Sequence, residues 1–82
     1  MFIQLHGVLS NERILMNVYE IEAIQEIKKG SKYYENYGEK GAKTVVRVHG
    51  LSLPVKETIV QITHALKRVQ LIGGAAYEGQ NP

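Results

Sequence analysis

The run Thr44-Val45-Val46-Arg47-Val48-His49-Gly50-Leu51-Ser52-Leu53-Pro54-Val55-Lys56-Glu57-Thr58 constrains the fold more than any other part of the chain. Thr44–Val48 is rich in β-branched residues and predicts a strand. His49-Gly50 predicts a tight turn, with the glycine supplying the positive φ that a short hairpin needs. Leu51–Val55 predicts the returning strand. Pro54 cannot donate to a ladder, so it places that strand at a sheet edge or ends it there. Thr58 then opens a helix: its hydroxyl can accept from the amide three residues on, and Gln61 stands there to reciprocate as a capping box. Ile59, Ile62, Leu66 and Val69, flanked by Ala65 and Ile72, form one apolar stripe about 100° wide. Lys67 and Arg68 lie toward the helix C-terminus, where the dipole favours cations. Gly73-Gly74 predicts the stop, and residues 75–82 a flexible polar tail.

The first half reads less evenly. Phe2–Leu5 predicts a strand followed by His6-Gly7, Leu9-Ser10-Asn11-Glu12 a turn, and Arg13–Val18 a second strand completing a hairpin. Ile21, Ile24 and Ile27 recur every three residues, which suits neither a clean strand nor a long helix. A helical turn over Val18–Glu20 leading into a strand from Ile21 or Glu22 accounts for this best; a bulge would also shift the period. Residues 28–43 hold three glycines, five lysines and three tyrosines, with no aliphatic residue larger than alanine. Such a segment predicts a long connection outside the core, and connections beyond about 12–15 residues are usually functional or disordered. The expectation is one α+β domain over residues 1–74: a small, mainly antiparallel sheet of four to five strands with one C-terminal amphipathic helix across a face.

Composition narrows the function classes. A chain of 82 residues buries only about 60–65% of the surface it exposes when unfolded, so its core is thin. With no cysteine there are no disulfides and no thiolate metal sites, which leaves self-association as the expected support. One helix covers only one face of the sheet, and this too predicts a homo-oligomer. Ten basic residues against eight acidic ones give a net charge of +2, too mild an excess to predict a nucleic-acid partner. All eight acidic residues are glutamate. No apolar run is long enough to predict membrane insertion, and the N-terminus lacks the pattern of a signal peptide, so a cytoplasmic location is expected.

In their order along the chain, five stretches resemble the small FlbD/SwrD family of flagellar proteins. They are Met1-Phe2-Ile3-Gln4-Leu5, Leu15-Met16-Asn17, Ile21-Glu22-Ala23-Ile24, Thr44–Gly50, and Val55-Lys56-Glu57-Thr58. The likeness covers residues 1–28 and 43–70, and its motifs are structural ones. His49-Gly50 stands where that family has Asn-Gly, and residues 28–43 stand where it has a very short turn. The resemblance implies a motor accessory without catalysis. Small proteins of this type also occur in phage genomes, where a basic, tyrosine-bearing loop could bind a host factor or a host signalling nucleotide.

The side chains themselves point to binding rather than chemistry. His6, His49 and His64 are not spaced at i, i+4 and have no carboxylate pair beside them, so no metal site and no cofactor is expected. No nucleophile elbow or phosphate loop is present, and no enzyme is expected. Glu20, Glu22 and Glu26 alternate in a half-exposed segment. Arg13, Lys43, Arg47 and Lys56 are the candidate cationic patch, with Arg47 facing away from the core between Val46 and Val48. Such charges also serve simply to solvate a sheet face. Tyr33, Tyr34 and Tyr37, among Lys28, Lys29, Lys32 and Lys40, can stack on a base or grip a partner surface. The expectation is a non-catalytic, oligomeric binding protein that takes a small anionic ligand, such as a signalling nucleotide, or a host protein. The ligand-binding candidates are Arg13, Lys43, Arg47, Tyr33, Tyr34 and Tyr37. The alternative is a structural accessory of the flagellar motor.

Overall fold

Among the described residues five antiparallel strands form, divided between two small sheets that share one core. The structure, a computed structural model, describes the backbone of residues 1–80 and the side chains of residues 1–69. Strand β1 (Phe2–His6) pairs with β2 (Arg13–Asn17). A 3₁₀ turn over Val18–Glu20 leads into β3 (Ile21–Glu26). The connection to β4 (Thr44–Val48) contains helix α1 (Lys32–Tyr37) and a second 3₁₀ turn, Gly38–Lys40. β5 (Leu51–Val55) returns beside β4, and helix α2 (Ile59–Gln80) follows.

The expected single sheet is thus two sheets, ordered β1-β2 and β3-β4-β5. They meet at one corner, where Gly7 bridges to Val55 and the Lys56 N–H donates to the His6 carbonyl at 2.8 Å. The expected turn over Val18–Glu20 forms, capped by the Asn17 side chain, which accepts from the Tyr19 amide at 3.0 Å. The three-residue isoleucine period has a second cause as well: the β3–β4 register shifts between Ile21 and Ala23, leaving Glu22 as the extra residue of a bulge. His49 and Gly50 both take positive φ, 50° and 74°, as a two-residue hairpin turn with the twist of its strands requires.

Strand alternation decides what is buried. Ile3, Leu5, Met16, Val46 and Val55 point inward and meet Ile62 of α2, with Ile14, Ile24, Leu53, Leu66 and Val69 packed around them. Thr44 is fully buried, and its hydroxyl donates to the Glu57 carbonyl at 2.7 Å, which satisfies it. The capping box forms in both directions: the Thr58 amide donates to Gln61 Oε1 at 2.8 Å, and the Gln61 amide to Thr58 Oγ at 3.1 Å.

One expectation is corrected here. The helix does not stop at Gly73-Gly74 but continues to Gln80. A glycine in a helix interior costs about 1 kcal/mol relative to alanine and does not by itself end the helix. The expected tail therefore lies in α2 up to Gln80, and Asn81 and Pro82 fall outside the described residues. The long connection over residues 28–43 forms as expected outside the core and contains structure of its own. Ser31 caps α1 by accepting from the Tyr34 amide at 3.1 Å, and the Ala42 amide donates back to the Tyr37 carbonyl at 3.2 Å.

Candidate binding cleft at the β3 edge

Hydrogen-bond parity shows which backbone groups of β3 are open. The Ile27 amide donates to the Lys43 carbonyl at 2.9 Å, so in this antiparallel ladder Gln25 and Ala23 also face β4. Ile24 and Glu26 therefore turn their N–H and C=O groups away from the sheet. Beside that edge lies a cleft of about 450 Å³ lined by Ile24, Gln25, Glu26, Lys28, Ser31 and Tyr33. The floor is strand, and the wall is the start of the connection. Ser31 holds the wall in place, because its amide donates to the Lys28 carbonyl at 3.1 Å while its hydroxyl caps α1.

The three tyrosines do not act together. Tyr33 is half-buried and enters the cleft. Tyr34 lies against Gly38, where an added Cβ would sit 2.8 Å from the ring. Tyr37 is half-buried at the far end of α1, where its carbonyl anchors Ala42. The candidate cations are also divided. Lys43 and Arg47 alternate with the buried Thr44 and Val46, so both are on the outer face of the three-stranded sheet. Arg47 Nε lies 3.9 Å from Glu22 Oε1, an exposed pair. Arg13 is on the other sheet, opposite His6. Lys56 donates through Nζ to Asn11 Oδ1 and so ties the first hairpin turn to the end of β5. Lys28, counted in the sequence only as one of the connection's lysines, is the cation that lines the cleft.

A second arrangement was not visible in the sequence. His6 Nδ1 lies 2.6 Å from Glu57 Oε2, and the His6 amide donates to Glu57 Oε1 at 2.8 Å. Burial pushes the Glu57 carboxyl up, but the hydrogen bonds from the His6 ring and amide outweigh it and hold the group below its ordinary value. The ionised carboxylate can only accept, so His6 Nδ1 carries the hydrogen. Glu57 thus occupies the free edge of β1 as a further strand would, just ahead of α2. At the opposite end of the domain Glu20 contacts His49, and Glu22 Oε1 accepts from the Gly50 amide at 3.0 Å. Both glutamates hold the hairpin turn. Among the described residues no group of three or more potential ligands is placed to hold a metal ion, and no helix is long and apolar enough to cross a membrane.

No protein-family model matches the chain, and neither does any curated protein or solved structure.

Proposed function

We propose that this chain is a non-catalytic binding protein that takes an extended segment of a partner protein along β3, in the cleft beside Tyr33. The observation that carries the reading is the coincidence of an open strand edge with a cleft: the outward backbone groups of Ile24 and Glu26 lie where Lys28, Ser31 and Tyr33 form a wall. Main-chain hydrogen bonds to an added strand supply affinity, and pockets for alternate side chains supply selectivity. Tyr33 offers a rigid apolar face with a polar tip. Glu26 and Lys28 put both signs of charge in the cleft lining, which favours a segment bearing both signs over a small anion. If the flagellar resemblance holds, the partner is a motor protein; if the gene is phage-borne, it is a host protein.

Selection of random displayed peptides against the purified protein tests this. The selected peptides should be extended, and Tyr33→Ala and Lys28→Glu should each weaken their binding on the order of tenfold, the loss expected for a central contact of an interface. Selected peptides that bind both variants as well as the parent, or a site that takes only ATP or GTP, would overturn the reading.

A further inference from the structure

The four strand edges that do not lie between two strands of one sheet are treated differently. The open side of β1 is closed at His6 by the Glu57 carboxylate and the Lys56 amide. β5 carries Pro54, which has no N–H and discourages a further strand. β3 is bent by its bulge at Glu22 and flanked by the connection's wall. β2 has none of these protections. The Val18 amide donates to the Met1 carbonyl at 3.0 Å, and the Gly7 amide to the Glu12 carbonyl at 2.9 Å. By alternation Ile14 and Met16 face β1, so Arg13, Leu15 and Asn17 present their backbone groups at the open side. Among the described residues no hydrogen bond reaches the Arg13 or Leu15 backbone from that side.

The face above this edge is also unusual. In the three-stranded sheet the outer face carries Gln25, Lys43, Arg47 and Ser52 around the buried Val45 and Pro54, so its exposed positions are polar. In the β1–β2 ribbon the outward positions include Phe2, 61% exposed, and Leu15, 70% exposed, which lie diagonally across the strand pair. Met1 and Tyr19 are exposed as well, with the Tyr19 hydroxyl 3.9 Å from Met1 Sδ.

We propose that a second copy of this chain covers the patch, pairing β2 with β2 in antiparallel register about a two-fold axis at Leu15. This register is self-complementary. Leu15 exchanges both backbone hydrogen bonds with Leu15 of the second copy, and the Asn17 amide meets the Arg13 carbonyl across the axis. Arg13 lies opposite Asn17, so no two like charges face each other, and each guanidinium approaches the turn that carries Glu20. The apolar patches of the two copies become continuous, and the two ribbons join as one four-stranded sheet. A two-fold interface of this kind uses the same residues on both sides. This inference concerns β2 and is independent of the cleft at β3.

The test uses the absence of cysteine. In the protein carrying Leu15→Cys as its single thiol, oxidised glutathione should yield mainly disulfide-linked dimer, because residues paired across an antiparallel ladder have Cα atoms about 5.5 Å apart, within disulfide range. Val60→Cys, exposed on α2, should stay largely unlinked and sets the background. In sedimentation velocity the parent should show a concentration-dependent dimer. Leu15→Glu should weaken dimerisation on the order of a hundredfold, since two carboxylates then meet at the axis, while thermal unfolding in dilute solution stays the same. Cross-linking of Leu15→Cys no greater than that of Val60→Cys, a parent that sediments as a monomer throughout, or Leu15→Glu associating like the parent would each overturn the proposal.

Discussion

The open edges of β2 and β3 offer the same backbone groups to different neighbours. At β3 a bulge, two glutamates and the wall formed by Lys28, Ser31 and Tyr33 restrict what can approach. At β2 the strand is regular and the adjoining face holds Leu15 and Phe2 in water beside the polar Gln4, Arg13 and Asn17. A restricted edge selects a partner by shape and charge, whereas an unrestricted one pairs with whatever strand has matching polarity. The comparison teaches that edge accessibility alone does not separate recognition from self-association. What lies beside the edge separates them.

The strongest way to disturb both edges at once is to loosen the core they share. Ile62 is fully buried between α2 and the two sheets. Ile62→Ala should cost about 3–4 kcal/mol, a loss that would leave so small a domain largely unfolded, measurable by urea denaturation followed by circular dichroism. A variant that keeps its midpoint would show that the two sheets do not depend on this common core.

Next in size is the junction of β1 and α2. Glu57→Ala should cost about 2–3 kcal/mol, because it removes two hydrogen bonds to a charged group and leaves the His6 amide without its partner. The effect should depend on pH. The Glu57 carboxyl titrates lower in the folded chain than in the unfolded one. Its contribution is therefore complete above the ordinary glutamate value of about 4.3 and is lost as pH falls through the lower folded value. Parent stability should decline below about pH 4.3, and Glu57→Gln should flatten that part of the profile. An unchanged acid limb in Glu57→Gln would remove Glu57 from the account of the β1 edge.

Smaller again is the hairpin turn that Glu20 and Glu22 hold. Gly50→Ala should cost about 1–2 kcal/mol, because φ is +74° there and an L side chain disfavours that region. The smallest stability effects belong to the two edges themselves. Tyr33→Ala and Leu15→Glu should each change folding stability by no more than about 0.5 kcal/mol, and each should weaken only its own association. A shared loss of both associations in either variant would merge the two edges into one site.

The strands were legible from alternation and turn chemistry. Thr44–Val48, Leu51–Val55 and the Thr58–Gln61 box form as the residues require, and the Val18–Glu20 turn explains the irregular isoleucine spacing. The division into two sheets was not legible. It depends on β1 meeting β5 only at the Gly7–Val55 corner, a contact between residues far apart in the chain. Helix α1 is weakly signalled because Lys32–Tyr37 is short and has no aliphatic residue, although Ser31 ahead of it is an ordinary N-cap and Tyr33 and Tyr37 stand at i, i+4. The continuation of α2 past Gly73 has no signal in the sequence, because a glycine pair that a helix tolerates looks the same as one that ends it.

Of the candidate site, Tyr33 was in view because aromatic residues in a basic segment attract attention. Its separation from Tyr34 follows from the helix step and the Gly38 contact, whereas Tyr37, one turn on at i+4, lies outside the cleft lining. The expected grouping of Arg13 with Arg47 did not anticipate that β2 and β4 belong to different sheets. His6 and Glu57 gave no sign of each other, since 51 positions separate them.

The most direct test of the central claim is a map of backbone amide shifts by nuclear magnetic resonance as a selected peptide is added to the full chain. The account predicts that the amides of Ile24, Glu26, Lys28 and Tyr33 shift together and that those of Arg13, Leu15 and Asn17 do not. Shifts centred on Arg13–Asn17, or on Lys43 and Arg47, with the Ile24–Tyr33 group unmoved, would contradict it.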